Sequence, residues 1–295
     1  MIAHVRTVYL GTSEFAVDVL RRLAQSDHRP SLVVTRPDRP SGRGRRLSAP
    51  PVAGAGRRLG LDLDQPESVN SEEARERIAA AEPEAVLVCA FGALIGEPLL
   101  SGYEMFNVHP SLLPRWRGAA PVERAIEAGD VVTGVSIMRP TAELDAGPVY
   151  VAAEEPIGAE DSYGSLSPRL ASLAGELLVQ ALDTGALPSP QVGEGITYAE
   201  KISAEDRRLD PARPAVELER RVRALDPHVG AYLELGGGER LRVLRARAKE
   251  GSGGELAVHD GRLFAGELEL LEVQPAGGRP MDAAAWLRGH AARLG

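Results

Sequence analysis

From residue 5 to residue 182, short apolar runs alternate with amphipathic helical stretches, and this alternation constrains the fold more than any other feature. Residues 5–11 read as a strand. Residues 14–24 read as a helix with Phe15, Val19, Leu20 and Leu23 on one face, and residues 31–35 as a second strand. The pattern predicts further helices at 51–59, 71–81, 121–128 and 166–182, and strands at 85–90, 105–109, 131–138 and 148–155. Such an alternation implies an α/β fold with a doubly wound, mainly parallel, Rossmann-like sheet. Ligands of these sheets bind beyond the carboxyl ends of the strands, where Gly11, Phe91, Gly92 and His109 fall. Residues 36–51, interrupted by Pro37, Pro40, Gly42, Gly44 and Pro50, read as a loop.

The texture changes after residue 184. Leu-Pro-Ser-Pro, Gly-Glu-Gly and Pro-Ala-Arg-Pro between residues 185 and 214 have the composition of a connecting segment. A short helix at 215–225 is followed by strand-like pieces at 231–235, 241–249, 255–259 and 262–271, separated by glycine clusters. Several short strands in so small a space suggest a β-barrel resembling the oligonucleotide-binding (OB) fold. The expected division is 1–189 for the first domain, 190–208 for the linker and 209–295 for the second domain.

Composition narrows the function. No apolar stretch is long enough to span a bilayer, and residues 1–9 lack the shape of a signal peptide and read as a first strand. The one cysteine, Cys89, lies inside an apolar run, so no intrachain disulfide is expected and a cytoplasmic location is. A net charge of −8 argues against a non-specific nucleic-acid binder. The charge is nevertheless unevenly spread. Arg36, Arg39, Arg43, Arg45 and Arg46 face a single acid, Asp38, within residues 36–46. Arg240, Arg242, Arg245, Arg247 and Lys249 have no acid among them, and Arg240 and Arg242 have the spacing of one strand face.

The first strand runs into Leu10-Gly11-Thr12-Ser13-Glu14-Phe15, which is not Gly-x-Gly-x-x-Gly and argues against a nicotinamide enzyme. There is no Walker loop and no Gly-x-Ser-x-Gly elbow. The six histidines are scattered without His or Cys partners at ligand spacing, so no metal site is expected. The chemistry points instead to Asn107 and His109. Residues i and i+2 of a strand project to the same side, so the amide and the imidazole converge where an apolar strand ends, while Phe106 and Val108 face a core. An imidazole can shuttle a proton and an amide can donate to an oxyanion. Asp145, in Thr141-Ala142-Glu143-Leu144-Asp145-Ala146-Gly147, can orient the imidazole.

The run Phe106 to Pro121, FNVHPSLLPRWRGAAP, resembles the signature of the formyltransferase family that uses 10-formyltetrahydrofolate. Within that resemblance Asn107, His109 and Asp145 fall on the family's catalytic residues. It implies that Asn107 and His109 stabilise a tetrahedral oxyanion, that His109 hands a proton to the departing folate nitrogen, and that Asp145 takes protons from the attacking amine. It also implies a folate pocket made from Phe91 and Gly92 together with Ser111, Leu112, Leu113 and Pro114, with Leu113-Pro114 a cis peptide. Residues 35–47, TRPDRPSGRGRRL, are similar to the inserted basic loop of methionyl-tRNA formyltransferases, and TYAEKI at 197–202 and LLEVQPAGGRPMDAAAWLRG at 271–290 are similar to their linker and C-terminal end. On this reading initiator methionyl-tRNA is the partner, with no membrane and no obligatory protein partner. Its contacts are Arg39, Arg43, Arg45, Arg46, Arg240 and Arg242, and 209–295 is its binding domain. Pro110 stands where most members acting on tRNA have Gly, and Pro also occurs there in relatives acting on small amines. The alternative is therefore an N-formyltransferase of an amino sugar nucleotide or glycinamide ribonucleotide, which shares Asn107, His109 and Asp145 and has no need of the arginine loop. A third possibility, an RNA-binding barrel joined to a silent sheet, is disfavoured by the intact Asn-His-Asp set.

Overall fold

The computed structural model describes residues 4–41, 46–249 and 256–290. Two compact units emerge: Met1–Gly118, Thr133–Glu155 and Ser167–Tyr198 form one, and Ala119–Val132, Pro156–Leu166 and Ala199–Gly295 the other. Segments 119–132 and 156–166, which precede residue 189, thus group with the C-terminal residues.

In chain order the strands up to residue 199 are β1 (Thr7–Gly11), β2 (Leu32–Val34), β3 (Arg39–Ser41), β4 (Arg46–Ser48), β5 (Asp62–Asp64), β6 (Ala85–Cys89), β7 (Glu104–His109), β8 (Arg117–Gly118), β9 (Val132–Met138), β10 (Val149–Pro156) and β11 (Tyr198–Ala199). The helices are α1 (Glu14–Ala24), α2 (Pro51–Arg58), α3 (Glu72–Ala80), α4 (Leu99–Gly102), α5 (Pro121–Ala128) and α6 (Tyr163–Thr184). Seven strands make the main sheet in the order β10-β9-β7-β6-β1-β2-β5. Strands β5, β2, β1, β6 and β7 run parallel, and β9 runs antiparallel to β7.

The alternation of the strands explains their burial. Val8 and Leu10 share one buried cluster with Leu32, Val34, Val86, Val88 and Ile78 of α3. Tyr9 faces the other way, and its hydroxyl donates to the Ala16 carbonyl at 2.7 Å. Helix α1 begins where the side chain of Ser13 accepts from the Ala16 amide, an N-cap that satisfies an otherwise orphan donor. Cys89 is buried, and burial pushes its thiol up to about 12, which removes it as a nucleophile at neutral pH. Two local departures concern the first half. The region read as a loop contains the antiparallel pair β3–β4, with Arg39 opposite Ser48 and Ser41 opposite Arg46. Strand β5 has no alternating apolar pattern, because it is the edge of the sheet and pairs only with β2.

In the second unit α5 packs on α7 (Ala215–Leu225). The C-terminal strands β12 (Ala231–Glu234), β13 (Arg240–Ala248), β14 (Ala257–His259), β15 (Arg262–Ala265) and β16 (Leu268–Pro275) form an antiparallel sheet in the order β12-β13-β16-β15-β14, with β17 (Met281–Asp282) beside β16. Leu218, Val222 and Leu225 of α7, Leu241 and Val243 of β13, Val273 of β16 and Trp286 of α8 (Ala283–His290) share its core. The single strand expected at 262–271 is two strands. The break is at Gly266, whose φ is +60° and where a Cβ would lie 2.2 Å from the Pro211 carbonyl oxygen.

Candidate active site

Strand β7 delivers Asn107 and His109 to the carboxyl end of the parallel sheet. Their register partners on β9 are Met138 and Ser136, one for each. Phe106 and Val108 are buried in the opposite sense, as the alternation requires. The Asn107 amide is half-buried, and its Nδ2 donates at 3.5 Å to the Met138 thioether, a weak acceptor. It therefore keeps donor capacity for a better acceptor.

His109 is 4% exposed and held from both sides. Its Nε2 lies 2.8 Å from the Trp116 carbonyl oxygen. A carbonyl only accepts, so Nε2 carries the hydrogen and Nδ1 holds the lone pair of the neutral ring. Nδ1 faces Asp145 Oδ2 at 3.6 Å. Burial lowers the His109 pKa from its ordinary value, while the Asp145 carboxylate and the bond to Trp116 pull it up, and burial prevails. The ring is thus neutral at neutral pH with its basic nitrogen turned to a carboxylate. In this arrangement the Nε2 hydrogen serves Trp116, and Asn107 is the member of the pair that remains free to donate to an oxyanion.

Both residues that flank the ring have backbones in the left-handed region, Trp116 at φ +62° and Asp145 at φ +46°. Non-glycine residues avoid that region, and where they occupy it the surroundings must hold them. Asp145 Oδ2 accepts from the Gly118 amide at 2.8 Å, which aims the carboxylate back at His109. The Trp116 amide donates to Thr197 Oγ1 at 2.9 Å.

The 111–114 loop is pinned by Ser136. Its hydroxyl donates to the Ser111 carbonyl at 2.8 Å and accepts from the Leu113 amide at 3.1 Å. Ser111 is buried, its Oγ donating to the Arg115 carbonyl at 2.6 Å, while Leu112, Leu113 and Pro114 are half-buried. Gly134 leaves room for this loop, since a Cβ there would lie 2.6 Å from Leu112 Cδ2. The Leu113-Pro114 peptide is cis. Of the other loop, Phe91 belongs to the buried core under the sheet, and Gly92 is exposed. The Phe91 carbonyl accepts from Thr12 Oγ1 at 2.7 Å and the Gly92 carbonyl from Arg36 Nη1 at 2.7 Å. Ser136 and Thr197 thus hold the segments beside His109, and Arg36 holds the Gly92 carbonyl; motif reading singled out none of the three for these positions. A lone serine inside the apolar strand Val-Thr-Gly-Val-Ser-Ile-Met was the available signal for the first.

The basic residues are placed differently. Arg39 on β3 and Arg46 on β4 are exposed, and Arg39 Nη2 sits 3.3 Å from Glu67. Arg43 and Arg45 lie outside the described residues. Arg240 and Arg242 flank the buried Leu241 and so lie on the outer side of β13. The Arg240 guanidinium stacks over Tyr232 at 4.4 Å, whereas Arg242 reaches the Pro227 carbonyl. The stretch that holds no acid in sequence has acids across the ladder: Arg240 is beside Glu234, Arg245 beside Glu272, and Arg247 beside Glu269. Among the described residues no group of three or more His, Cys, Asp or Glu is placed to hold a metal ion. No helix among them is long and apolar enough to cross a membrane.

Residues 5–182 match the formyl transferase family, and residues 201–291 match the formyl transferase C-terminal domain. The methionyl-tRNA formyltransferase of Halorhodospira halophila is 45% identical over 305 residues, covering 97% of this chain and 96% of its own. The structure of a methionyl-tRNA formyltransferase from Clostridium thermocellum has the same fold, with TM-score 0.58 and 14% identity over 90% of this chain and 99% of that one. HypX from Aquifex aeolicus, solved in complex with tetrahydrofolic acid, aligns with TM-score 0.66 and 19% identity over 97% of this chain. The chain spans about half, 47%, of the length of HypX.

Proposed function

Because the chain belongs to the formyl transferase family, and within it to the methionyl-tRNA formyltransferases, we propose that Asn107, His109 and Asp145 are the groups that carry its reaction. The donor is 10-formyltetrahydrofolate and the acceptor is the α-amine of methionine esterified to initiator tRNA, in the cytoplasm. The amine nitrogen attacks the formyl carbon, the carbonyl electron pair moves onto oxygen, and the tetrahedral intermediate collapses as the bond to folate N10 breaks. Three demands follow: a donor for the oxyanion, an acceptor for the amine proton and a proton for N10.

Asn107 meets the first, because the only hydrogen bond its side chain makes among the described residues is to a thioether. This single observation carries the reading: a donor kept nearly idle beside a buried imidazole–carboxylate pair. One such donor is worth about 3 kcal/mol of transition-state stabilisation. Asp145 and His109 meet the other two together. The proton lost by the amine is held between Asp145 and Nδ1, where the carboxylate stabilises the imidazolium, and is then returned to N10. The half-buried Leu112, Leu113 and Pro114, fixed through Ser136, suit an aromatic folate ring, and no step calls for a metal. We further propose that residues 209–295 and the basic segment 36–46 bind the tRNA, with the exposed Arg39, Arg46 and Arg240, together with Arg43 and Arg45, meeting phosphates. The name borne by a relative at 45% identity favours this acceptor over a small amine. Purified protein should formylate charged initiator tRNA with 10-formyltetrahydrofolate and leave charged elongator methionyl-tRNA largely unmodified. Equal use of a free amino sugar nucleotide would overturn the assignment.

A further inference from the structure

Gln191 lies in the proline- and glycine-rich stretch that composition alone marks as a connector, yet its amide makes four hydrogen bonds. Nε2 donates to the Asp145 carbonyl at 2.7 Å and to the Gly147 carbonyl at 2.7 Å. Oε1 accepts from Arg117 Nε at 3.2 Å and Nη2 at 2.8 Å. Every donor position of that amide nitrogen is used, and the two carbonyls it serves bracket the turn that holds Asp145. That turn needs holding. Asp145 is left-handed at φ +46°, and Gly147 is so tightly placed that a Cβ would fall 1.8 Å from the Arg139 carbonyl oxygen.

We infer that Gln191 is a positioning residue for the reaction: its side-chain amide clamps the Asp145 turn so that the carboxylate meets His109 Nδ1. The chemistry of the amide supports a role directed at Asp145 rather than at Arg117. Arg117 is 5% exposed, and its nearest carboxylate, Glu143 at 3.5 Å, is itself on the surface. A glutamate at 191 would therefore suit the arginine better than a glutamine. Only the neutral amide supplies the two donors that the Asp145 and Gly147 carbonyls require. Arg117 then fixes which way the amide points, because a guanidinium cannot accept. Its own backbone amide, donating to the Thr197 carbonyl at 2.9 Å, ties it to the same connecting stretch.

The inference rests on the proposed catalytic role of Asp145, and its test separates the two. Gln191→Ala, the isosteric Gln191→Glu, Asp145→Asn and the double variant Asp145→Asn/Gln191→Ala are assayed for kcat, KM for both substrates and the pH profile of kcat/KM. Misplacing a reacting group by about 1 Å lowers turnover roughly 100-fold. Both Gln191 variants should therefore lose kcat on that scale, with each KM changed by less than about threefold. Their acid limb should move to lower pH, because a carboxylate further from His109 raises its pKa less. In the Asp145→Asn background Gln191→Ala should add little, since there is no carboxylate left to aim. A fully active Gln191→Glu would show that the contact with Arg117 is what matters and would overturn the inference. So would losses that simply add in the double variant, or normal turnover of Gln191→Ala. Full activity of Asp145→Asn would instead overturn the reading of Asp145. If Gln191→Ala does not fold, the isosteric Glu variant carries the same comparison.

Discussion

The ring of His109 and the arginines of the basic surfaces hold charge in opposite ways. Each ring nitrogen of His109 faces a named partner at a fixed distance, the backbones of Trp116 and Asp145 sit in the left-handed region, and little of the imidazole reaches solvent. On β3, β4 and β13 Arg39, Arg46 and Arg240 are exposed, and Arg39 and Arg240 pair loosely with Glu67 and Glu234. Acyl transfer needs atoms within a few tenths of an ångström of where charge develops, in a medium that does not screen them. Holding a polyanion needs charge at the right distance on a side chain that can adapt. The first region should therefore respond to substitution steeply and with little regard to salt, the second shallowly and in a salt-dependent way.

The largest expected effect is at the strand end. Asn107→Ala removes the proposed oxyanion donor, whose side chain bonds only a thioether among the described residues, and turnover should fall roughly 10²–10³-fold with folate affinity and thermal stability little changed. His109→Ala should fall at least as far. Single-turnover rates at low and high salt are the measurement. A rate loss that shrinks or grows with salt would place Asn107 with the surface rather than with the buried set.

Asp145→Asn keeps the shape of the side chain and its bond from Gly118 while removing the charge. Turnover should collapse, and what remains should carry a displaced pH profile. On the proposed mechanism the neutral ring is the active form of the wild type, so the acid limb of kcat/KM should lie below the ordinary histidine value of 6.5, because burial lowers the His109 pKa. The Asp145 carboxylate opposes that lowering. Its removal should move the limb to still lower pH. A limb that moves up, or stays, would mean that the titrating group is not His109.

The same contrast explains what the sequence displayed and what it hid. Helices α1, α5 and α7 end where the periodicity placed them, because their boundaries are local: Ser13 caps the first and Pro121 opens the second. The parallel sheet and the convergence of Asn107 with His109 follow from period-2 alternation, which is also local. The rest depends on partners far along the chain. Gln191 meets Asp145 across 46 positions and Arg117 across 74, so nothing near residue 191 announces it. Ser136 meets Ser111 across 25. The acids that balance β13 lie on β12 and β16, invisible to a count along one strand. Helix α8, begun where Asp282 Oδ1 accepts from the Ala284 amide at 2.8 Å, passed unread in an alanine-rich segment with a weak stripe. The β3–β4 pair was hidden by its prolines and glycines, which mark turns well and short exposed strands poorly.

A smaller effect is expected in the basic segment 36–46. Replacing Arg43, Arg45 and Arg46 with Ala should raise KM for tRNA severalfold while folate binding is unchanged. Each phosphate contact contributes a little under one unit to the slope of log affinity against log salt. The triple variant should accordingly show a slope shallower by roughly two, measured by titration at several salt concentrations. An unchanged slope with lost affinity would show that these residues read shape or bases instead. Activity on a small amine that the substitutions leave intact would favour the alternative acceptor.

The smallest effect separates two arginines that sequence spacing treats as equals. Arg240 and Arg242 share the outer side of β13, two residues apart. Arg240 lies over the Tyr232 ring with its side chain 60% exposed, so its charge is available to a phosphate at little desolvation. Arg242 is folded back. Its guanidinium reaches the Pro227 carbonyl and covers Gly230, where a Cβ would fall 2.3 Å from Arg242 Nε. A guanidinium already occupied in this way would have to break that contact before it could grip RNA. Arg240→Ala should weaken tRNA binding a few-fold and flatten the salt slope by about one contact, with no change in the unfolding midpoint. Arg242→Ala should do the reverse, leaving affinity and slope unchanged while lowering stability by about 1 kcal/mol, the usual worth of one intramolecular hydrogen bond. Denaturant melts and salt-dependent binding curves of the two variants side by side decide it. Equal losses of affinity from both would mean that Arg242 swings out to meet RNA, and the division between a side chain held by the fold and one offered to a partner would then fail within a single strand.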